Sequence, residues 1–361
     1  MKILMLIDSF TVGGAQRQFT TIAKELHKEY DVTVVVYHDI SSHFEEELVE
    51  EGIHIEKILK KSKFDFKFIF RLLQFIRKEK FDASISFLDT PNFYNVLARI
   101  TRSVPKVIVS QRSAYFKDSL SLKKRLQESF LYFADHITTN SITQKERMID
   151  IFPFMEKKIH YLPNAYQSIE KPDLNKSLET NNFIVLSNLN EYKNALKLVQ
   201  SIEILVHELN TSDFRIRWYG RFPITEKAKV DFEKAKAIIE DNELEKYIEF
   251  MGVTRDVNSV IKKSSALIHI SDFEGCPNSV CEAMALSKPV ILSNICDHPY
   301  LVSYDNGILI NQKDPKDIAK GIFDFINLSN ENRTLMGIKS KKYISNNLNI
   351  LNSIKTLKNC F

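Results

Sequence analysis

Glycine and proline are scarce, at 9 and 10 of 361 residues, and neither a low-complexity tract nor a fixed-period repeat occurs. Disordered chains and solenoids are thereby excluded. Cysteine is limited to Cys276, Cys281, Cys296 and Cys360. These four have neither metal-ligand spacing nor a disulfide-framework pattern, so they read as small buried fillers in a reducing compartment. Long hydrophobic runs are missing too. The opening MKILMLIDSF has one lysine and six apolar residues ahead of Asp8, too short for a signal peptide or a membrane span, and a cytoplasmic location is expected. No G-x-G-x-x-G occurs, which argues against dinucleotide binding.

What is present is an ordinary globular composition, 44% hydrophobic and 27% charged. A chain of this length exceeds what one core usually serves, so two domains are expected. Apolar runs of strand length alternate with segments of helical spacing. In the first half the strands read as 2–8, 32–37, 53–58, 83–88, 107–110, 137–140 and 159–162, and this βα alternation predicts a parallel sheet covered on both faces. The polar, aperiodic stretch NAYQSIEKPDLNKSLETNN then reads as a linker. A second series follows, with strands at 183–187, 214–219, 248–251, 266–270 and 289–293, and helices at 315–326 and near the C-terminus. The expectation is an α/β protein with two Rossmann-like, doubly wound domains facing each other across a cleft. Residues 1–165 form the first domain and 181–335 the second, with C-terminal helices at 336–361 that pack back on the first.

The stretch SDFEGCPNSVCEAMALSKPVI carries two acids, Glu274 and Glu282, with seven residues between them. Ser271 to Cys276 follow a strand directly and so lie at the carboxyl edge of the second sheet, where doubly wound folds bind ligands. Asn278 or Ser279 suits the N-cap of a short helix after Pro277, with Val280, Ala283 and Met284 as its buried face and Glu282 within its first turn. A helix start with free N–H groups suits phosphate. Glu282 can accept ribose hydroxyls, and Glu274 the hydroxyls of a sugar beyond the phosphate. Otherwise the two acids are a solvated loop residue and a helix-dipole partner.

EAMAL at 282–286 and SKPVI at 287–291 match the small-residue run and the G-K-P-V-I that follow the glutamate pair in retaining glycosyltransferases of the GT-B fold, particularly family 4. The stretch resembles their donor site. The resemblance implies donor contacts from Glu274, Gly275, Cys276, Pro277, Asn278, Ser279, Val280 and Glu282. Family members often open the second domain with G-R-L, three residues and lysine. Here Ser187, Asn188 and Leu189 are followed, after three intervening residues, by Lys193, so one of the usual pair of diphosphate cations is replaced by Asn188, and Arg221 in WYGRF is a candidate substitute. Lys193 and Glu274 are the implied catalytic residues, and no protein base is named, because in such enzymes the departing phosphate accepts the acceptor's proton.

Gly13 and Gly14, between the first strand and first helix, match the family's glycine loop, Gly14 toward the donor and Gly13 toward the acceptor. Where many relatives have an acceptor-side histidine, VIVSQRS offers Gln111 and Arg112, and Asp89 is placed on the same side. Isolated histidines, His269 among them, read as structural. The implied reaction is transfer from a nucleoside-diphosphate sugar, expected to be UDP-linked, to a hydroxyl of a lipid-linked glycan in O-antigen or capsule assembly, by a hexosyl- or N-acetylhexosaminyltransferase. No cofactor and no metal are expected. Rival readings are a phosphorylase or sugar-phosphate synthase of the same fold, and a non-catalytic sugar-binding module.

Net charge is only +4, yet KILKKSKFDFKFIFRLLQFIRKEK at 57–80 holds nine Lys or Arg and five Phe. At ~100° per residue its apolar positions from Phe66 to Ile76 cover an arc of about 220°. Two readings stay open: a helix lying on an anionic membrane, which would place the protein at the inner face of the cytoplasmic membrane, or a buried crossover helix with a basic edge. Nucleic acid is not an expected partner.

Overall fold

Strands form where short aliphatic and β-branched runs such as KILML, DVTVVV and ASISF are bounded by polar or turn residues, and helices form where apolar residues recur every three or four positions. The computed structural model describes residues 1–62, 65–112, 121–166 and 181–361. The chain divides into two units, Met1–Ala165 with Leu348–Phe361, and Tyr166–Asn347. Most of the expected linker, from 167 to 180, lies outside the described residues, as do Lys63 and Phe64 of the basic segment.

The first unit runs β1 (Lys2–Leu6), α1 (Gly14–His27), β2 (Asp31–Val36), α2 (His43–Glu50), β3 (His54–Lys57), α3 (Phe66–Glu79), β4 (Ala83–Phe87), α4 (Asp89–Ile100), β5 (Val107–Gln111), α5 (Leu122–Ser129), β6 (His136–Thr139), α6 (Ile142–Ile151) and β7 (Ile159–Tyr161). All of its strand pairs are parallel, in the order β3-β2-β1-β4-β5-β6-β7. The second runs β8 (Asn182–Leu186), α7 (Ala195–His207), β9 (Arg215–Tyr219), α8 (Glu226–Asp241), β10 (Ile248–Gly252), α9 (Val257–Lys262), β11 (Ala266–His269), α10 (Asn278–Ala285), β12 (Val290–Ser293), α11 (His298–Leu301), β13 (Gly307–Ile310), α12 (Pro315–Ile326) and α13 (Asn330–Asn347). Its sheet is also parallel, ordered β10-β9-β8-β11-β12-β13. This is the expected pair of doubly wound α/β sheets.

The first unit's single sheet has a core on each face. Phe19, Ile22 and Leu26 of α1 join Ile350, Ile354 and Leu357 of the last helix, α14 (Ile350–Lys358), on one side. Phe68, Leu72 and Ile76 of α3 join Tyr94, Leu131 and Met148 on the other. The sequence reading closed the second domain at residue 335, inside what is one continuous helix: α13 continues to Asn347 within the second unit, and only Leu348–Phe361 belongs to the first. Strand β13 was not anticipated. It is four residues long and only partly buried at the sheet edge, so its apolar signal is weak.

Helix α3 combines features of both sequence readings. Its stripe Phe68, Leu72 and Ile76 is buried, as a crossover helix requires, while Phe66 and Phe70 stand 77% and 67% exposed among the exposed cations Lys67, Arg71, Arg77 and Lys78. Lys60 turns inward and donates to the Tyr94 hydroxyl at 2.8 Å.

Candidate functional site

In the second unit β8 and β11 lie side by side, with β9 and β10 continuing one way and β12 and β13 the other. The carboxyl ends of such a strand pair flank the crevice in which open α/β sheets take their ligands. The loop after β8 carries Asn188, Lys193 and Asn194, and the loop after β11 carries Glu274 to Pro277. The two loops are tied together: Asn194 Nδ2 donates to Asp272 Oδ1 at 3.0 Å, and the Asp272 N–H to the Tyr192 carbonyl at 2.9 Å.

Between them Lys193 Nζ forms an ion pair with the Glu274 carboxylate. Oε1 of Glu274 also lies 2.8 Å from His269 Nε2. The lysine and glutamate side chains are each 16% exposed, and His269 is enclosed at the last position of β11. Burial first, then the Lys193 charge and His298, hold His269 well below the ordinary imidazole range. A neutral ring facing a carboxylate must donate from Nε2, which leaves Nδ1 bare, and Nδ1 has no partner. His269 is therefore not merely a structural histidine, as its strand position suggested; it fixes the orientation of Glu274. The signal in the sequence was its place at the strand end, immediately before the loop. Burial lowers Lys193 to about 8. The ammonium still predominates at neutral pH, where the adjacent carboxylate favours it. Behind this group the His298 ring stands 5.8 Å from His269, centroid to centroid, with Nδ1 donating to the Ser293 carbonyl at 2.8 Å and its pKa pushed down to about 4 by burial.

Helix α10 starts one residue earlier than its sequence suggests. Pro277 is the N-cap and provides no side-chain cap, while Asn278 is already helical and accepts from the Tyr166 hydroxyl at 2.7 Å. Glu282 is consequently the fifth helical residue, in the second turn instead of the first. Cys276, Pro277 and Val280 are buried, so they present backbone only. Gly275, Asn278, Ser279 and Glu282 remain partly accessible. Tyr166 was missed because it lies in a polar, aperiodic stretch; its hydroxyl pKa is raised by burial and then by Cys281, Cys276 and Glu282.

At the position of the absent arginine, Asn188 Oδ1 accepts from the Arg221 N–H at 2.9 Å, and the Leu189 N–H donates to the Arg221 carbonyl at 2.9 Å. Gly220 packs so closely on the Ser187 carbonyl that no Cβ fits. The residue replacing the arginine thus anchors the backbone of the exposed Arg221.

The first unit has its own reversal between β1 and β4. Gly13 is the N-cap of α1 and Gly14 its first residue; Asp89 opens α4. Lys124 Nζ joins Asp89 at 3.0 Å to Glu128 at 2.6 Å, and the buried Glu128 carboxylate accepts both contacts from Gln111 Nε2 at 3.0 and 3.1 Å. Arg112 donates to Ser110 Oγ and to Asn164 Oδ1, each at 2.8 Å, with its guanidinium over the Phe87 ring. Asp89 and Gln111 are joined in one network; Arg112 belongs to another. Lys124 and Glu128 were not foreseen, since an i,i+4 ion pair on a polar helix looks like an ordinary solvated face.

Residues 12–167 match the family Glycosyltransferase Family 4, and residues 167–343 match Glycosyl transferases group 1. The chain is a glycosyltransferase of the GT-B, family 4 type. Among similar proteins, a Campylobacter jejuni enzyme named GalNAc-alpha-(1->4)-GalNAc-alpha-(1->3)-diNAcBac-PP-undecaprenol alpha-1,4-N-acetyl-D-galactosaminyltransferase is 24% identical, over 93% of this glycosyltransferase and 92% of its own length. The capsular polysaccharide biosynthesis glycosyltransferase CapH of Staphylococcus aureus is 27% identical, over 84% of each chain. The crystal structure of Anabaena Alr3699/HepE in complex with UDP and glucose superposes with a TM-score of 0.81 at 16% identity, covering 99% of this chain and 98% of that one. Among the described residues of the glycosyltransferase, no helix is long and apolar enough to cross a membrane.

Proposed function

We propose that this glycosyltransferase moves a sugar from a UDP-sugar to a hydroxyl of a lipid-linked glycan, with retention of anomeric configuration, in the assembly of a bacterial surface polysaccharide. The observation that carries the reading is the convergence of Lys193, Glu274 and the uncapped start of α10 at the switch point of the second sheet. Lys193, the first amides of α10 and Arg221 take the diphosphate; Glu282 takes the ribose; Glu274, held by His269, takes hydroxyls of the transferred sugar. As the bond from the anomeric carbon to the phosphate oxygen breaks, that oxygen keeps the electron pair. The acceptor hydroxyl adds on the same face and gives its proton to the departing phosphate, leaving UDP and the new glycoside. The developing charge meets fixed cations and amides, the arrangement that stabilises such transition states best, so no divalent ion is required and the reaction should survive EDTA.

A hydroxyl acceptor is favoured over phosphate or a sugar phosphate because two described cations at the first sheet's edge are already engaged, Lys124 with Glu128 and Asp89, and Arg112 with Ser110 and Asn164. The names of the Campylobacter and Staphylococcus relatives support the lipid-linked and capsular setting, and the Anabaena complex supports UDP. Exposed Phe66 and Phe70 amid cations support docking of α3 on an anionic membrane.

Slow hydrolysis of a panel of UDP- and GDP-sugars tests the donor without an acceptor. One UDP-sugar should be hydrolysed, Glu282→Ala should weaken UDP binding, and hydrolysis confined to GDP-sugars would sink the nucleotide assignment. Flotation with anionic vesicles tests the surface. The protein should float at low salt and lose this with Phe66→Ser plus Phe70→Ser; a wild-type protein that stays in the soluble fraction refutes membrane docking.

A further inference from the structure

Far from the reversal of the first sheet, strands β6 and β7 meet the last residues of the chain. The register pairs Ile137 with Ile159 and Thr138 with His160. Ile137 and Ile159 point into the core beneath α3 and α4. Strand alternation therefore turns His136 and His160 to the opposite face, the side whose core holds Cys360 and the apolar residues of α14. There His136 Nδ1 and His160 Nε2 approach to 2.9 Å, and one ligand atom from each of His136, His160 and Cys360 lies within 4.8 Å of the others. Three residues from remote parts of the sequence converge, which spacing along the chain could not reveal. His136 opens β6, so the group is toward the amino end of that strand, away from the edge that carries Gln111 and Arg112.

We propose that His136, His160 and Cys360 bind a divalent zinc-type ion that clips the C-terminal segment to strands β6 and β7. Two imidazoles and a thiolate are the donors that suit zinc. With zinc bonds of about 2.0 Å to nitrogen and 2.3 Å to sulfur, tetrahedral ligand atoms stand roughly 3.3 to 3.7 Å apart, a spacing the group reaches with small side-chain movements. The fourth position is left to water. Burial holds both histidines below their ordinary pKa, in the neutral form that ligation needs. Burial raises the Cys360 thiol to about 11, and the ion stabilises the thiolate: the metal–sulfur bond forms with the S–H electron pair as the thiol proton leaves to solvent, while both imidazoles keep their remaining proton on the outward nitrogen. One proton is released per ion bound. Segment 348–361 is otherwise held by the apolar face of α14, by Ser353 donating to the Pro163 carbonyl at 3.0 Å and by Lys358 on Glu29, so the ion adds a cross-link to a segment already in place.

The test uses the full chain, stripped with EDTA under reducing conditions and titrated with cobalt(II) as a spectroscopic probe. The expected result is one ion per chain, with thiolate-to-metal absorption and tetrahedral d–d bands. Cys360→Ser should abolish the thiolate band, and His160→Gln should weaken binding roughly tenfold or more. Zinc should raise the melting temperature of the wild type and not of Cys360→Ser, whose metal-free melting temperature reports that it folds. Failure to bind cobalt, or a thiolate band that survives Cys360→Ser, overturns the proposal. A surviving band would assign the metal to Cys276 and Cys281, whose sulfurs are 3.5 Å apart. Binding that leaves melting unchanged overturns the clip. Sugar transfer is not a readout here, so this result stands apart from the donor assignment.

Discussion

The helices of this protein begin in two ways. Ser42, Asp65, Ser121, Ser141, Thr225, Asp256, Asp314 and Asn349 each accept a backbone N–H in the first turn of α2, α3, α5, α6, α8, α9, α12 and α14. Gly13, Leu88, Asn194 and Pro277, the N-caps of α1, α4, α7 and α10, make no such bond. These four follow β1, β4, β8 and β11, the central strand pairs at which the two sheets reverse. The four-residue α11, after the neighbouring β12, and the short 3-10 helices Phe130–Phe133 and Pro153–Lys158 also start without such a bond. A side-chain cap contributes about 1 kcal/mol. Its omission at these four leaves open N–H groups and partial positive charge at the reversal of each sheet, those of α10 being the amides proposed for the diphosphate. Capping is given up there and kept at the eight helices named first.

The largest effect expected from breaking this arrangement is at Lys193. Lys193→Gln should slow transfer by about 10² to 10³, the usual result of removing one preorganised contact to developing charge. Because it also leaves Glu274 partly buried without its cation, the melting temperature must be measured alongside. A rate within threefold of wild type would remove Lys193 from the mechanism.

Glu274→Gln comes next. Losing one charge-assisted hydrogen bond to the sugar costs ~1.5 to 3 kcal/mol, or roughly 10- to 150-fold in rate. The same change frees Lys193 from its ion pair, so calorimetry should show UDP alone binding more tightly. Weaker UDP binding would mean the pair does not oppose the diphosphate.

Most of the architecture was legible in the sequence because strand alternation and helix periodicity are local. Helix α12, Pro315–Ile326, begins and ends where its apolar spacing and Asp314 cap place it. The Glu274 to Glu282 stretch, to which the donor contacts are assigned, was singled out through motif spacing. What could not be read was contact between distant residues. That Lys193 and Glu274, assigned to adjoining parts of one ligand, touch each other depends on β8 lying beside β11. That Asn188 holds Arg221 depends on the pairing of β8 with β9. The end of the second domain was misjudged because α13 has apolar residues distributed around its axis, with no face to mark where it belongs.

A third effect is set by pH. The Lys193 ammonium, lowered to about 8 by burial, is lost as pH rises through that value. kcat/KM, which reports the free enzyme, should fall about tenfold per unit above it. Stability should move the other way. The folded pKa lies below the unfolded one, so the unfolded chain binds more protons between pH 8 and 10.5, and Lys193's contribution to stability rises across that window. His298, pushed to about 4 by burial, works on the acid side, where its contribution is lost as pH falls from 6.5 toward 4. An alkaline loss of activity that tracks unfolding would refute the assignment to Lys193.

The smallest effect is the most direct test of the two classes of helix start. Asp314→Ala removes the bond its carboxylate accepts from the Lys316 N–H, and α12 follows β13, outside the reversal. It should lower stability by about 0.5 to 2 kcal/mol in urea unfolding and leave donor kinetics unchanged. Pro277→Ser does the converse. The backbone at 277 is extended, with φ −71° and ψ 123°, the conformation of an N-cap, so the new hydroxyl can take a first-turn amide of α10 and compete with phosphate for it. One such amide contributes ~0.5 to 1.5 kcal/mol, so KM for the donor should rise roughly two- to twelvefold with little loss of stability. Were Asp314→Ala to alter KM, or Pro277→Ser to leave it untouched, the open helix starts would be a matter of folding alone, and the phosphate would have to be held by Lys193 and Arg221 without α10.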